Sequence, residues 1–193
     1  LGAMYKDTVS TDLIGRSFEG RPIYRTLIHQ NASHTKPIVF IICGSHSREW
    51  LSVAACQYVL RKLVFDQNYD EDIKKLLEQH DIAIVSLLNP DGYSYTKASR
   101  MWRKSRSRTR NPRCRGVDIN RNFDYKWGGG GSSPDLCEEI YCGDKRFSEK
   151  EPLALARHLY KIRKKLVAFL DIHTYGQLWM SPWGFSKSYP SIP

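Results

Sequence analysis

Long hydrophobic runs are missing from this sequence. No apolar stretch approaches the ~18 residues of a membrane-crossing helix, so no membrane span is expected. The opening residues, LGAMYKDT, have neither the basic flank nor the apolar core of a signal peptide, and no initiator methionine. The chain is therefore expected to begin inside a longer precursor. Internal repeats and a Pro/Gly/Ser linker are also lacking, which leaves one domain over residues 1–193 as the expectation. Acids are absent from two stretches, residues 97–115 and the 20 residues after His173. Both gaps bear on function.

At 41% hydrophobic and 26% charged residues, the composition is that of a globular protein, which excludes a disordered chain. The net charge of +10 is concentrated: KASRMWRKSRSRTRNPRCR (97–115) carries nine Lys or Arg, leaving +1 for everything else. Such a run is either a solvated loop or an anion-binding surface. With Trp102 as its one interleaved aromatic, it lacks the stacking platform that single-stranded nucleic acid needs, so no nucleic-acid partner is expected. The five cysteines divide by context. Cys43 ends an apolar strand and Cys56 lies on an apolar helix face, so both read as buried thiols. Cys114, Cys137 and Cys142 fall in loop-like sequence, where disulfides form more readily. Asn31-Ala32-Ser33 fits a glycosylation sequon. Together these features lean towards a secreted, extracellular protein.

Residues 23–29 and 37–43 read as strands joined by a hairpin loop, and 50–65 as a helix with an apolar face at Val53, Cys56, Leu60, Leu63 and Val64. Residues 70–80 begin with acids and end with a base, as a short helix should. IAIVSLL (82–88) is a third strand, closed by the turn signal NPDG. Residues 97–147 read mostly as loop. Ser148 and Glu151 form a capping box for a helix over 149–165, and VAFLDI (167–172) is a fourth strand. Apolar strands alternating with amphipathic helices predict an α/β fold: a mixed, mostly parallel sheet with helices on both faces.

Polar clusters follow two of these strands. GSHSREW (44–50) places His46, Arg48 and Glu49 after 37–43, and His173 follows 167–172. Ligands collect at the carboxyl ends of strands in such sheets. Two histidines and one carboxylate form the ligand set of a catalytic zinc that keeps a position open for water. The H-x-x-E spacing alone is equally that of a hydrogen-bonded surface pair, and His173 alone that of a satisfied core histidine. Trp50 reads as core packing.

The remaining motifs decide between these readings. IGRSFEGRPI (14–23), HSREW (46–50), NPDGY (89–93), RMWRKSR (100–106), GVDINRNFD (116–124) and DIHTYGQL (171–178) occur in that order. Together the sequence resembles the zinc metallocarboxypeptidases of the pancreatic A/B type, from about Leu13 onwards. The resemblance implies a zinc-dependent exopeptidase that hydrolyses the C-terminal peptide bond through a metal-activated water, with one Zn2+ ion. His46, Glu49 and His173 match the metal ligands. Arg103 matches the arginine that polarises the scissile carbonyl, and Asn120 and Arg121 the pair that grips the terminal carboxylate. Asp118 matches the acid that orients the first zinc histidine; Arg48 and Tyr175 match residues of the neighbouring upstream subsites. The implied partners are a peptide or protein C-terminus and a propeptide or protein inhibitor. A Cys114–Cys137 disulfide, an unpaired Cys142 and a cis peptide at Thr174–Tyr175 are implied as well.

One departure from the family pattern matters. The family's general base is a glutamate well downstream of the third ligand, and no acid follows His173 here. The closing tyrosine and the specificity-pocket residue likewise fall beyond Pro193. The expectation is a catalytic domain incomplete at its C-terminus and shortened at its N-terminus: a fragment of an active enzyme, inactive and poorly soluble on its own. The alternative is a non-catalytic relative that binds zinc and peptide C-termini. Gly184 is compatible with a large side chain in the pocket and does not choose among apolar, basic and acidic residues.

Overall fold

The computed structural model describes residues 5–30 and 36–186; the sequon at Asn31 lies outside them. Its centre is a five-stranded mixed sheet of β1 (Val9–Arg16), β2 (Pro22–Ile28), β3 (Ile38–Cys43), β4 (Asp81–Val85) and β5 (Leu166–Ile172), in the order β1-β2-β4-β3-β5. β3 pairs in parallel with β4 and β5, while β1–β2 and β2–β4 are antiparallel. The expected hairpin between the second and third strands does not form, because β4 lies between them, with Thr26 opposite Ile84 and Ile41 opposite Ile84 on the other side. The physical reason is burial: Ile82, Ala83, Ile84 and Val85 are all apolar and all buried, and the middle of a covered sheet is where such a strand loses most surface to water.

Helices cover both faces. α1 (Trp50–Phe65) and α2 (Glu71–Gln79) bury Cys56, Leu60, Leu63, Val64 and Leu77 against Ile41, Ile82 and Ile84. On the other face, Leu155 of α4 (Lys150–Ile162) packs with Ile23, Phe40, Ile42 and Val85. β1 was not foreseen. Its sequence, VSTDLIGR, leaves Ser10 to Arg16 mostly exposed or half-buried, so it carries little apolar alternation.

Four local expectations change. NPDG opens a short helix, α3 (Pro90–Tyr95), rather than a simple turn: the Asn89 side chain accepts from the Gly92 N–H, and Pro90 occupies the first turn, where its missing N–H costs nothing. The capping box before α4 is not made. Ser148 Oγ bonds Glu149 and Asn122, and the Glu151 carboxylate turns to the Phe18 N–H. Cys43 and Cys56 are not thiols but a disulfide with Cα atoms 6.2 Å apart, since the end of β3 and the second turn of α1 pack within bridging distance. Trp50 lies outside the core, 39% exposed, with its indole N–H donating to Thr96.

Cys114 and Cys137 are bridged and Cys142 is buried and free, as the resemblance implies. The Thr174–Tyr175 peptide is cis, as is Pro182–Trp183.

Candidate metal centre

β3 and β5 run in parallel side by side, so their carboxyl ends deliver residues to one place. After β3 the chain turns sharply at Gly44, whose φ is +67° and where a Cβ would sit 2.8 Å from Leu87 Cδ1. That turn is pinned: the Ser47 N–H and hydroxyl both donate to the loop carrying Arg103, at Arg103 O and Trp102 O. Glu49 is the N-cap of α1, yet its carboxylate caps nothing and points at two imidazoles instead. His173 follows β5. Ser52 ties the two strand ends together, accepting from the Gly44 N–H at 3.1 Å and donating to Ile172 O at 2.5 Å.

The side chains converge. His46 Nδ1 lies 2.8 Å from Glu49 Oε1 and His173 Nδ1 lies 2.9 Å from Glu49 Oε2. One donor atom from each of the three residues falls within 4.8 Å of the others. The far nitrogen of each ring faces a carboxylate: His46 Nε2 is 3.0 Å from Asp118 Oδ1, and His173 Nε2 is 2.9 Å from Asp171 Oδ2. Such outer carboxylates fix the tautomer and orientation of metal-binding imidazoles. Asp118 also accepts two bonds from Arg103, from Nε at 3.1 Å and Nη2 at 2.7 Å. Asn120 Nδ2 lies 3.3 Å from His173 Nε2.

Electrostatics sharpen the picture. Burial by itself would raise the Glu49 carboxyl, but hydrogen bonds from His173, His46 and the Thr174 N–H hold it well below the usual carboxylate range. Burial likewise opposes ionisation of Asp118, and His46 and Arg103 override it, lowering its pKa. Burial disfavours a charged His173, while Asp171 and Glu49 push it up to about 10. The cluster thus pairs two ionised carboxylates with two imidazoles around the point between the Nδ1 atoms and Glu49. Nitrogen and oxygen donors on three sides, with imidazoles oriented from behind, fit a zinc ion there.

The other expected residues are distributed around this point. Arg121 is held by its own surroundings, donating from Nε to Gly131 O at 2.7 Å and from Nη1 to Asn120 O at 3.1 Å. It borders a cavity of about 490 Å3 whose lining includes Asn120, Phe123, Met180 and Gly184. Arg48 turns outward to Glu139 at 3.0 Å. Tyr175 is fully exposed. Reading the sequence missed Asp171 and Ser52. Asp171 stands two residues before His173 and so on the same side of a strand, a spacing that identifies it in retrospect.

These features form a candidate metal centre at the carboxyl ends of two parallel strands of a mixed α/β sheet. The family model described as "Zinc carboxypeptidase" matches residues 1–192, and the chain belongs to that family. It is 36% identical to carboxypeptidase O of Homo sapiens over 188 residues, covering 97% of this chain and 50% of that protein. The solved structure of thrombin activatable fibrinolysis inhibitor superposes with a TM-score of 0.93 at 36% identity, covering 97% of this chain and 47% of the other. The bovine thrombin-activatable fibrinolysis inhibitor, solved in complex with a tick carboxypeptidase inhibitor, gives a TM-score of 0.88 at 36% identity, with 97% and 60% covered. The chain thus spans about half the length of the curated relative it matches.

Proposed function

We propose that these residues supply the metal-binding and carboxylate-gripping part of a secreted zinc carboxypeptidase that removes the C-terminal residue of peptides and proteins. The observation that carries the reading is the convergence of His46 Nδ1, His173 Nδ1 and Glu49 on one point, beside Arg103. His46, Glu49 and His173 would hold one zinc ion, which supplies Lewis acidity and lowers the pKa of bound water towards ~7.

The chain's own groups do the rest. Asp118 and Asp171 hold the two imidazoles with Nδ1 facing inward. Arg103 spends Nε and Nη2 on Asp118 and keeps Nη1 without a hydrogen bond among the described residues, available to a developing oxyanion. Arg121, fixed through Nε and Nη1, leaves Nη2 to meet the substrate's terminal carboxylate alongside Asn120. The cavity they border takes the side chain being removed, and Gly184 leaves its wall open. Arg48 and Tyr175 reach the substrate one residue upstream, Arg48 after release from Glu139. A protein inhibitor would occupy this same cleft, and a propeptide would cover it.

We infer further that the base that takes the water's proton is a residue other than Glu49, which is committed to the metal. On this reading residues 1–193 form part of one catalytic domain. The test is to assay the full natural chain for zinc content and for release of the last residue from a peptide with a free C-terminus and from its amidated twin. Release from the free peptide alone, abolished by chelation and reduced about a hundredfold or more by Arg103→Ala, is the expected result. Stoichiometric zinc with no turnover would mean a protein that binds C-termini without cleaving them.

A further inference from the structure

The basic run left over by the metal centre is an organised surface. Residues 108–115 form a tight excursion closed by an antiparallel bridge between Arg108 and Arg115 and by the Cys114–Cys137 disulfide. Thr109 Oγ1 donates to Asn111 O and Cys114 O, the Cys114 N–H returns to Asn111 O, and the Gly116 N–H donates to Ser107 O. The backbone at the tip is therefore fixed, and the side chains it carries are Arg108, Arg110, Arg113 and Arg115. All four are exposed, and none forms an ion pair or a side-chain hydrogen bond among the described residues. Like charges opposite one another across a strand pair cost stability, and Arg115 also repels Arg106 behind it. Asp135 and Glu138, beside Cys137, also act on the buried Lys104, opposing the fall that burial causes in its pKa. The fold thus holds four guanidinium groups, none in an ion pair among the described residues, on a rigid support.

We propose that this hairpin is a docking surface for a sulfated polysaccharide, which would tether the protein outside the cell at a site separate from its chemistry. Planar guanidinium groups suit sulfate oxygens through paired, charge-assisted hydrogen bonds. A preorganised tip loses little entropy on binding a repeating polyanion. The two disulfides belong to an oxidising compartment, where such polymers are found. Nucleic acid fits less well, because the neighbouring aromatic faces are already covered. The Arg106 guanidinium sits 3.5 Å from the Tyr95 ring centroid and 4.5 Å from that of Trp102, and Arg100 lies 4.1 Å over Trp50. The faces of these three rings that carry a guanidinium are closed to base stacking. The tip also presents no large apolar side chain for a lipid surface.

A second basic run provides a charge-matched control. Lys161, Arg163, Lys164 and Lys165, also exposed, lie at or just past the C-terminus of α4, where cations complement the helix dipole. The experiment measures binding of the full natural chain to heparin, hyaluronan (which carries no sulfate) and an oligo-dT strand at physiological salt. It then compares two variants, one with Arg108, Arg110, Arg113 and Arg115 changed to Ser, the other with the four α4 cations changed to Ser. Heparin should bind more tightly than either other polymer. The hairpin variant should lose about tenfold or more in affinity, from several exposed contacts acting together, while the α4 variant stays within about twofold. Unchanged zinc content and circular dichroism would show both variants folded. Equal losses in the two variants, absence of heparin binding, or tighter binding to oligo-dT would each overturn the proposal.

Discussion

Two regions of this molecule bury carboxylates, and they put them to opposite use. At the metal centre Glu49 and Asp118 are 9% and 0% exposed and both are held ionised. At the other, where the turn after β1 meets α3 and α4, Asp91 and Glu151 are fully buried. There Asp91 accepts from Ser17 Oγ, the Glu19 N–H and Arg21 Nη1, at 2.6, 2.7 and 2.7 Å. Glu151 accepts from the Phe18 N–H at 3.0 Å through one oxygen, and its other oxygen has no partner. Every donor at Asp91 comes from one turn of chain, so that carboxylate closes a loop. The donors at Glu49 come from just past the ends of β3 and β5 and leave a point between them. Burial alone does not mark a functional acid; convergence of ligands from separate strands does.

The sharpest way to break the comparison is to remove the acid on which the metal centre turns. Glu49→Gln keeps the size of the side chain and removes the charge. If a binding free energy of ten or more kcal/mol is shared among the ligands, one of them is worth roughly 3 to 4 kcal/mol. Zinc affinity, measured by competition with a chelator, should then fall by about several hundredfold. A variant that kept full zinc affinity would show that the ion is held elsewhere.

Asp91→Ala should do the reverse. It leaves the Ser17 hydroxyl, the Glu19 N–H and the Arg21 guanidinium facing a buried gap, at a cost of about 3 to 4 kcal/mol. Denaturant unfolding would register that loss, while zinc affinity per folded molecule should stay unchanged. A matching fall in metal affinity would mean that the two regions are coupled and the distinction fails.

Within the metal centre, Asp118→Asn and Asp171→Asn separate the two imidazoles. Loss of an outer carboxylate behind a metal-bound histidine costs about 10- to 100-fold in affinity. Asp118 should lie at the upper end, since it is fully buried and also anchors Arg103, whereas Asp171 is half-buried and His173 is 28% exposed. Faster zinc release in both variants, with a larger effect at Asp118, is the expected pattern. An unaltered release rate in Asp171→Asn would assign the orientation of His173 to Asn120 instead.

How much of this was legible in the sequence follows from the same contrast. His46 and Glu49 stand three residues apart at the end of an apolar strand, and His173 repeats that placement, so the three could be read without coordinates. Asp171 escaped notice because it closes a run read as wholly apolar, and Ser52 because its two partners come from separate strands. The same non-local pairing hid the position of β4 between β2 and β3. The Cys43–Cys56 bridge was misread for a related reason. Each cysteine fits an apolar context taken alone, and the packing of α1 on the end of β3 that brings them together is a tertiary fact. The acids behind Ser17–Arg21 were equally hidden, since Glu151 looks from sequence like half of a capping box.

That last residue gives the smallest effect and the most direct reading of what an uncompensated buried acid costs. Desolvation, followed by the charges of Glu149 and Asp91, raises the Glu151 pKa to about 7 against the opposing Phe18 N–H. The folded protein therefore holds this proton over a range where the unfolded chain, near 4.5, has released it. Where the folded state binds more protons, stability falls as pH rises. The contribution of Glu151 is thus a loss of roughly 2 kcal/mol between about pH 5 and pH 7.5, levelling off above the folded pKa. Glu151→Gln keeps an acceptor for the Phe18 N–H and cannot ionise, so its unfolding free energy should lack that slope. Chemical denaturation of both proteins in metal-free buffer across this range measures the difference. Parallel pH profiles would mean that Glu151 is ionised in the fold, with water or a moving side chain meeting its second oxygen, and that both regions bury charge in the same way.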